Sequence, residues 1–197
     1  MSTPLLFQSP YLYVLGAACI WLALPELRVF KQALSRHGAG REDAGSAGLI
    51  VLSWPASLVM AICLAYAAPQ AALTGVPILH FWTGLALMLS GGVLRRASMR
   101  CLGDYFTGFV ETRAGHELIS TGPYRWLLHP AYTGAWLEMT GFGVALGNTP
   151  GLILLAVVGW LVYAYRARIE EKALFACLGP AYQQFASRRH RFIPYIY

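Results

Sequence analysis

The chain is 197 residues long, 57% hydrophobic and only 12% charged, with a mean hydropathy of +0.51. That length suits one ordinary domain, but the composition excludes a soluble one and points to the membrane class. A net charge of +6 would fit a nucleic-acid partner, yet the placement of the basic residues accounts for it differently.

The first apolar run covers 11–30. No Lys or Arg precedes it, so it lacks the basic leader of a signal peptide and is expected to be an anchor with its N-terminus outside. Residues 31–46 form a polar connection. The second span is 48–68, with Pro55 as a kink that a membrane helix tolerates. An uncharged link, 69–76, leads to the third span, 77–97, which ends in Arg95-Arg96. The one long polar stretch, 98–128, has no clear period and reads as a functional segment. Spans four and five, 131–147 and 151–165, are joined by the turn Asn148-Thr149-Pro150. No breaker separates span five from 166–178, so its helix is expected to leave the bilayer as an amphipathic arm that Gly179-Pro180 stops. A basic-aromatic tail, 188–197, closes the chain. The expected fold is all-α: a single membrane domain, 1–197, with five transmembrane helices.

Four cysteines (Cys19, Cys63, Cys101, Cys177) form no CxxC pair and no zinc spacing, so neither a metal site nor a disulfide framework is expected. Cys19 and Cys63 fall inside apolar runs and are expected to be small buried hydrophobes.

Four Lys or Arg lie at the end of span one or between it and span two (28, 31, 36, 41), five at the end of span three or between it and span four (95, 96, 100, 113, 125), and six after span five (166, 168, 172, 188, 189, 191). In a five-span arrangement all fifteen share one side, which the positive-inside rule makes cytoplasmic. The protein is therefore expected to be multi-pass, N-terminus outside and C-terminus cytoplasmic. The charge is then a matter of topology, with no nucleic acid required.

Chemistry gathers on that side. Residues 122–132 read Gly-Pro-Tyr-Arg-Trp-Leu-Leu-His-Pro-Ala-Tyr. Gly122-Pro123 is turn chemistry. Pro130 keeps His129 out of the α region and suits the first turn of a helix, which puts His129 at a helix mouth. Spans four and five make a tight hairpin, so His129 and Arg166 should meet at its open end. Arg166 and Glu170 are four apart on one helical face, with Glu171 beside them; alone, such a pair is usually a solvated surface pair. Glu138 lies near the middle of span four, where a carboxylate is costly and marks a functional or a structural pairing.

His116-x-Leu118-Ile119, Gly122-Pro123-Tyr124, His129-Pro130-x-Tyr132, Arg166-x-x-x-Glu170-Glu171, Leu178-Gly179-x-x-Tyr182 and Arg191-Phe192-x-Pro194 follow in order. Over about residues 100–197 they resemble the isoprenylcysteine carboxyl methyltransferase family. The resemblance implies a membrane-integral enzyme that uses S-adenosyl-L-methionine, with the cofactor bound on the cytoplasmic side by 98–132 and 166–197. It implies that His116, Glu117, Leu118 and Ile119 meet the adenosine part, that Tyr124, His129, Pro130, Ala131 and Tyr132 line the pocket, and that Glu170 and Glu171 hold its polar groups. Arg166 corresponds to the arginine facing the methyl acceptor, so Arg166 and His129 are the candidate catalytic residues, and Arg166 with Glu138 the candidate acceptor contacts.

These roles suit the chemistry. A carboxylate acceptor is ionised at neutral pH and needs a guanidinium to orient it rather than a base. An amine or thiol acceptor would have to lose a proton, and His129, Glu138 or Glu171 would then be base candidates. Two departures bear on this choice: Leu128 stands where the family commonly has a basic residue, and Lys172 where a third acid is often found. The expected function is carboxyl O-methylation of a lipophilic or lipidated, isoprenylcysteine-like acceptor entering from the bilayer. N- or S-methylation of a phospholipid amine or small thiol, and a non-enzymatic transporter or scaffold, are the alternatives.

Overall fold

A computed structural model describes residues 4–35, 45–103, 106 and 118–192, with only the backbone of 28–35. His116, Glu117 and Pro194 lie outside the described residues. Among the described residues the structure is helical: α1 (Tyr11–Ser35), α2 (Ser46–Ala67), α3 (Pro77–Leu102), α4 (Pro130–Leu146), α5 (Thr149–Leu178) and the short α6 (Pro180–Ala186). Prolines at the first turns of α3, α4, α5 and α6 sit where the missing N–H is harmless and the fixed φ is an advantage. Gly147 ends α4 at φ +70, and the next residue, Asn148, caps α5 by accepting from the Gly151 amide at 3.1 Å.

Successive helices α1 to α5 alternate in direction. At one end, Glu26 of α1 pairs with Arg95 of α3, Arg95 bonds the carbonyl of Ala131 in α4, and Ser46 of α2 meets Arg166 of α5. At the other, Asn148 donates to the Ala68 carbonyl, the Leu73 amide donates to Gly147, and Phe7 stacks on Tyr66. α4 is the central helix, packed between α3 and α5, with α2 against α5 and α1 against α3.

All five apolar runs are helical, but among the described residues only α2, α3 and α5 are long and apolar enough to cross a membrane by length and composition. The apolar part of α1, Tyr11–Leu27, is shorter, and α4 has 17 residues. At 1.5 Å per residue such a helix reaches about 26 Å against a hydrocarbon core of ~30 Å. α5 is unbroken from Thr149 to Leu178; its polar last turns, from Arg166 onward, lie beyond the apolar stretch 151–165.

α3 and α4 meet backbone to backbone along glycines. A Cβ built on Gly84 would lie 2.4 Å from the Gly141 carbonyl, on Gly91 2.5 Å from that of Gly134, and on Gly141 2.7 Å from that of Gly84. Small residues at helix interfaces permit this approach in membranes, where packing rather than water drives association. Cys19 and Cys63, expected inside, are on exposed faces. In a membrane bundle the outside is as apolar as the core, so an apolar neighbourhood in sequence does not mean burial.

Candidate functional site

His129 caps the start of α4 with φ −126 and ψ 56, the non-helical geometry that Pro130 imposes. The tail fixes it in place. Residues 126–129 pair with 190–191 in parallel: the amides of Leu128 and His129 donate to the carbonyls of His190 (2.8 Å) and Arg191 (3.1 Å), and His190 donates to Trp126 (3.1 Å). Thr133 Oγ1 donates to the Phe192 carbonyl at 2.8 Å, and Arg189 Nε to that of Tyr124 at 2.7 Å.

So held, His129 faces the arm of α5. Its Nε2 donates to Glu171 at 3.0 Å, and Nδ1 is 3.6 Å from Glu170. Arg191 bonds the second oxygen of Glu171 at 2.7 Å. Burial opposes ionisation of Glu171, but the bonds and charges of His129 and Arg191 outweigh it and hold its pKa below the ordinary value. Tyr132, one turn into α4, donates to Glu170 at 2.6 Å and accepts from Arg166 Nε at 3.2 Å. Arg166 is buried and also donates to Ser46 at 2.8 Å. Rings wall the cluster: His129 stacks on Tyr132, Tyr132 on Tyr163, and Phe192 lies against His129 and Trp160. The phenols of Tyr124 and Tyr182 are pushed well above their ordinary range, chiefly by burial and next by the charges of Glu170 and Glu171 respectively.

One end of the bundle thus gathers His129, Tyr132, Arg166, Glu170 and Glu171, with Pro130 and Ala131 buried beneath them. Leu118 and Ile119 are half-buried, and Tyr124 is buried with its backbone tied to Arg189. Glu138 is not part of this group. It lies on the face of α4 toward α1 and α3, where a Cβ on Gly92 would be 3.6 Å from its Oε1. Ser46 and Tyr163 join the cluster without having been singled out by sequence, and Arg191 and Phe192 join it having been quoted in the tail motif without a site role. For Arg191 and Phe192 the tail motif was the available signal; for Ser46 there was none.

The donor set fits S-adenosyl-L-methionine. Glu170 keeps about a third of its side chain accessible and has lone pairs left beyond those facing Tyr132 and His129, which suits an ammonium or ribose hydroxyls. Stacked rings suit a sulfonium cation.

A family model described as phospholipid methyltransferase matches residues 79–180. Protein-S-isoprenylcysteine O-methyltransferase B of Arabidopsis thaliana is 29% identical over 169 residues, covering 83% of this chain and 84% of that protein. The enzyme of the same name from Saccharomyces cerevisiae is 30% identical over 115 residues, 57% of this chain and 48% of that protein. Among solved structures, a eukaryotic intramembrane Ras methyltransferase, isoprenylcysteine carboxyl methyltransferase, superposes with a TM-score of 0.60 at 25% identity, over 74% of this chain and 52% of that one. The chain therefore spans about half the length of the yeast relative and of the solved chain. With more than half its length matched by the model and its motifs in order, the chain belongs to the phospholipid methyltransferase family, among members of the isoprenylcysteine carboxyl methyltransferase type.

Proposed function

We propose that this methyltransferase transfers a methyl group from S-adenosyl-L-methionine to the carboxylate of a lipophilic, isoprenylcysteine-like acceptor that reaches the site from the bilayer. The observation that carries this reading is the Arg166–Tyr132–Glu170 arrangement: a buried guanidinium and a partly open carboxylate, separated by one phenol. When bound, the cofactor supplies an already activated methyl group, so the protein's work is mainly alignment. Glu170 and the rings around His129 would hold the cofactor. Arg166 would orient the acceptor's carboxylate, and the buried setting would strengthen that contact by excluding water. His129, Pro130, Ala131, Tyr132, Tyr124, Leu118 and Ile119 would shape the pocket, and the family resemblance assigns His116 and Glu117 to the adenosine part. The alternation of helix directions and the one-sided basic residues support five spans, an outside N-terminus and a cytoplasmic site.

A second reading, methylation of a phospholipid amine or a small thiol, draws on the family model's description and on the His129–Glu171 pair, which would accept the proton such an acceptor must lose. Family membership leaves the transporter or scaffold alternative without support. Purified protein in detergent, labelled cofactor and a panel of prenylcysteine, lipid amine and thiol acceptors separate the readings. The proposal expects prenylcysteine to be methylated with a rate still high at pH 6, and Arg166→Lys to lower turnover while cofactor affinity stays within a few-fold. A rate rising about tenfold per pH unit from 6 to 8, with Arg166→Lys unimpaired, would replace it with the amine or thiol reading.

A further inference from the structure

Ser46 opens α2, 120 positions in sequence from the arginine it touches. It follows Gly45, whose φ of +76 turns the chain into the helix. Its side chain is fully buried at 0% exposure, and its Oγ accepts from Arg166 Nη1 at 2.8 Å. The other edge of the same guanidinium donates from Nε to Tyr132 at 3.2 Å. Arg166 thus has hydroxyls on two sides, one from α4 and one from α2. The default for an Arg-Glu pair one turn apart is a direct ion pair along the helix surface. In such a pair Arg166 would swing toward Glu170, and the guanidinium meant for the acceptor and the carboxylate meant for the cofactor would neutralise each other. Tyr132 stands between them, bonding both. Ser46 pulls from the opposite side.

We infer that Ser46 is a positioning residue for the acceptor: it fixes the guanidinium plane of Arg166 and keeps it apart from Glu170. This rests on the acceptor role proposed for Arg166. A planar fork reads a carboxylate only in one orientation, so a freely rotating Arg166 would keep its charge and lose its aim. The Ser46–Arg166 bond also places the start of α2 at the acceptor side of the site, although the family model begins only at residue 79.

The test uses the full-length protein in detergent with a prenylcysteine acceptor, and compares Ser46→Ala, Ser46→Cys and Arg166→Lys, singly and as the double variant Ser46→Ala/Arg166→Lys. Cysteine fills nearly the same volume but its sulfur is a weak acceptor, so it separates loss of the bond from loss of packing. The expected result is a fall of about tenfold or more in kcat/KM for both Ser46 variants, with the cofactor Kd within a few-fold and the thermal midpoint of Ser46→Cys close to wild type. The Ser46→Ala loss should vanish when Arg166 is already lysine. A wild-type kcat/KM in Ser46→Cys, or losses that multiply in the double variant, would overturn the inference while a damaged Arg166→Lys leaves the acceptor role of Arg166 standing. An unimpaired Arg166→Lys would instead remove the acceptor role itself.

Discussion

The glycine seam between α3 and α4 allows a quantitative expectation. In Gly141→Ala the new methyl would lie 2.7 Å from the Gly84 carbonyl oxygen, 2.7 Å from the Met88 nitrogen and 2.9 Å from the Met88 side chain. Two of these neighbours are backbone and cannot rotate away, so the helices must part by several tenths of an ångström along a seam that also holds Gly91 and Gly134. Overpacking costs ~1–3 kcal/mol, and backbone contact on two sides puts this case at the upper end. Alanine's better helix propensity returns at most about 1 kcal/mol. The net loss is about 2 kcal/mol, or a thermal midpoint lowered by about 4–8 °C for a chain of this size. Gly48→Ala is the control. That glycine is on an exposed face of α2 with nothing within 4 Å of an added Cβ, so only the propensity gain remains. Thermal unfolding of both variants in the same detergent, followed by circular dichroism, decides. If Gly141→Ala melts at or above Gly48→Ala, the close approach of the two helices is wrong.

Topology and pH give two more expectations. With Cys19, Cys63, Cys101 and Cys177 replaced by alanine, Gln70→Cys, exposed in the turn after α2, should react in intact cells with a membrane-impermeant thiol reagent, and Ser187→Cys should not; the opposite pattern would invert the orientation. Asn148 would be a poor probe for that side, being buried and committed to capping α5. Glu171 is held below its ordinary pKa of 4.5, so the stability it contributes is complete above that value and is lost as pH falls through the lowered native one. Wild type should therefore lose thermal stability on acidification below pH 4.5 more steeply than Glu171→Gln, and parallel curves would show that the His129 and Arg191 bonds contribute nothing.

Sequence alone determined a good deal of this protein. Apolar runs bounded by Pro, Gly and Asn located the helices, because each boundary residue acts on its own backbone: Pro130 on His129, Gly147 and Asn148 on the α4–α5 turn, Gly179 on the end of α5. The helical period put Arg166 and Glu170 on one face, and the short turn put them opposite His129. What sequence could not decide was which side of an apolar helix faces inward. Cys19 and Cys63 face out, and Glu138 faces α3 rather than the cluster, because lipid and core are equally apolar and leave no polar stripe to read. Nor could it show contacts between residues far apart in the chain. The tail's pairing that holds His129, the Arg191 bond to Glu171 and the Ser46 hydroxyl on Arg166 exist only once α2, α4 and α5 converge at one end of the bundle, since a hydrogen bond depends on where two atoms arrive and not on where they stand in sequence.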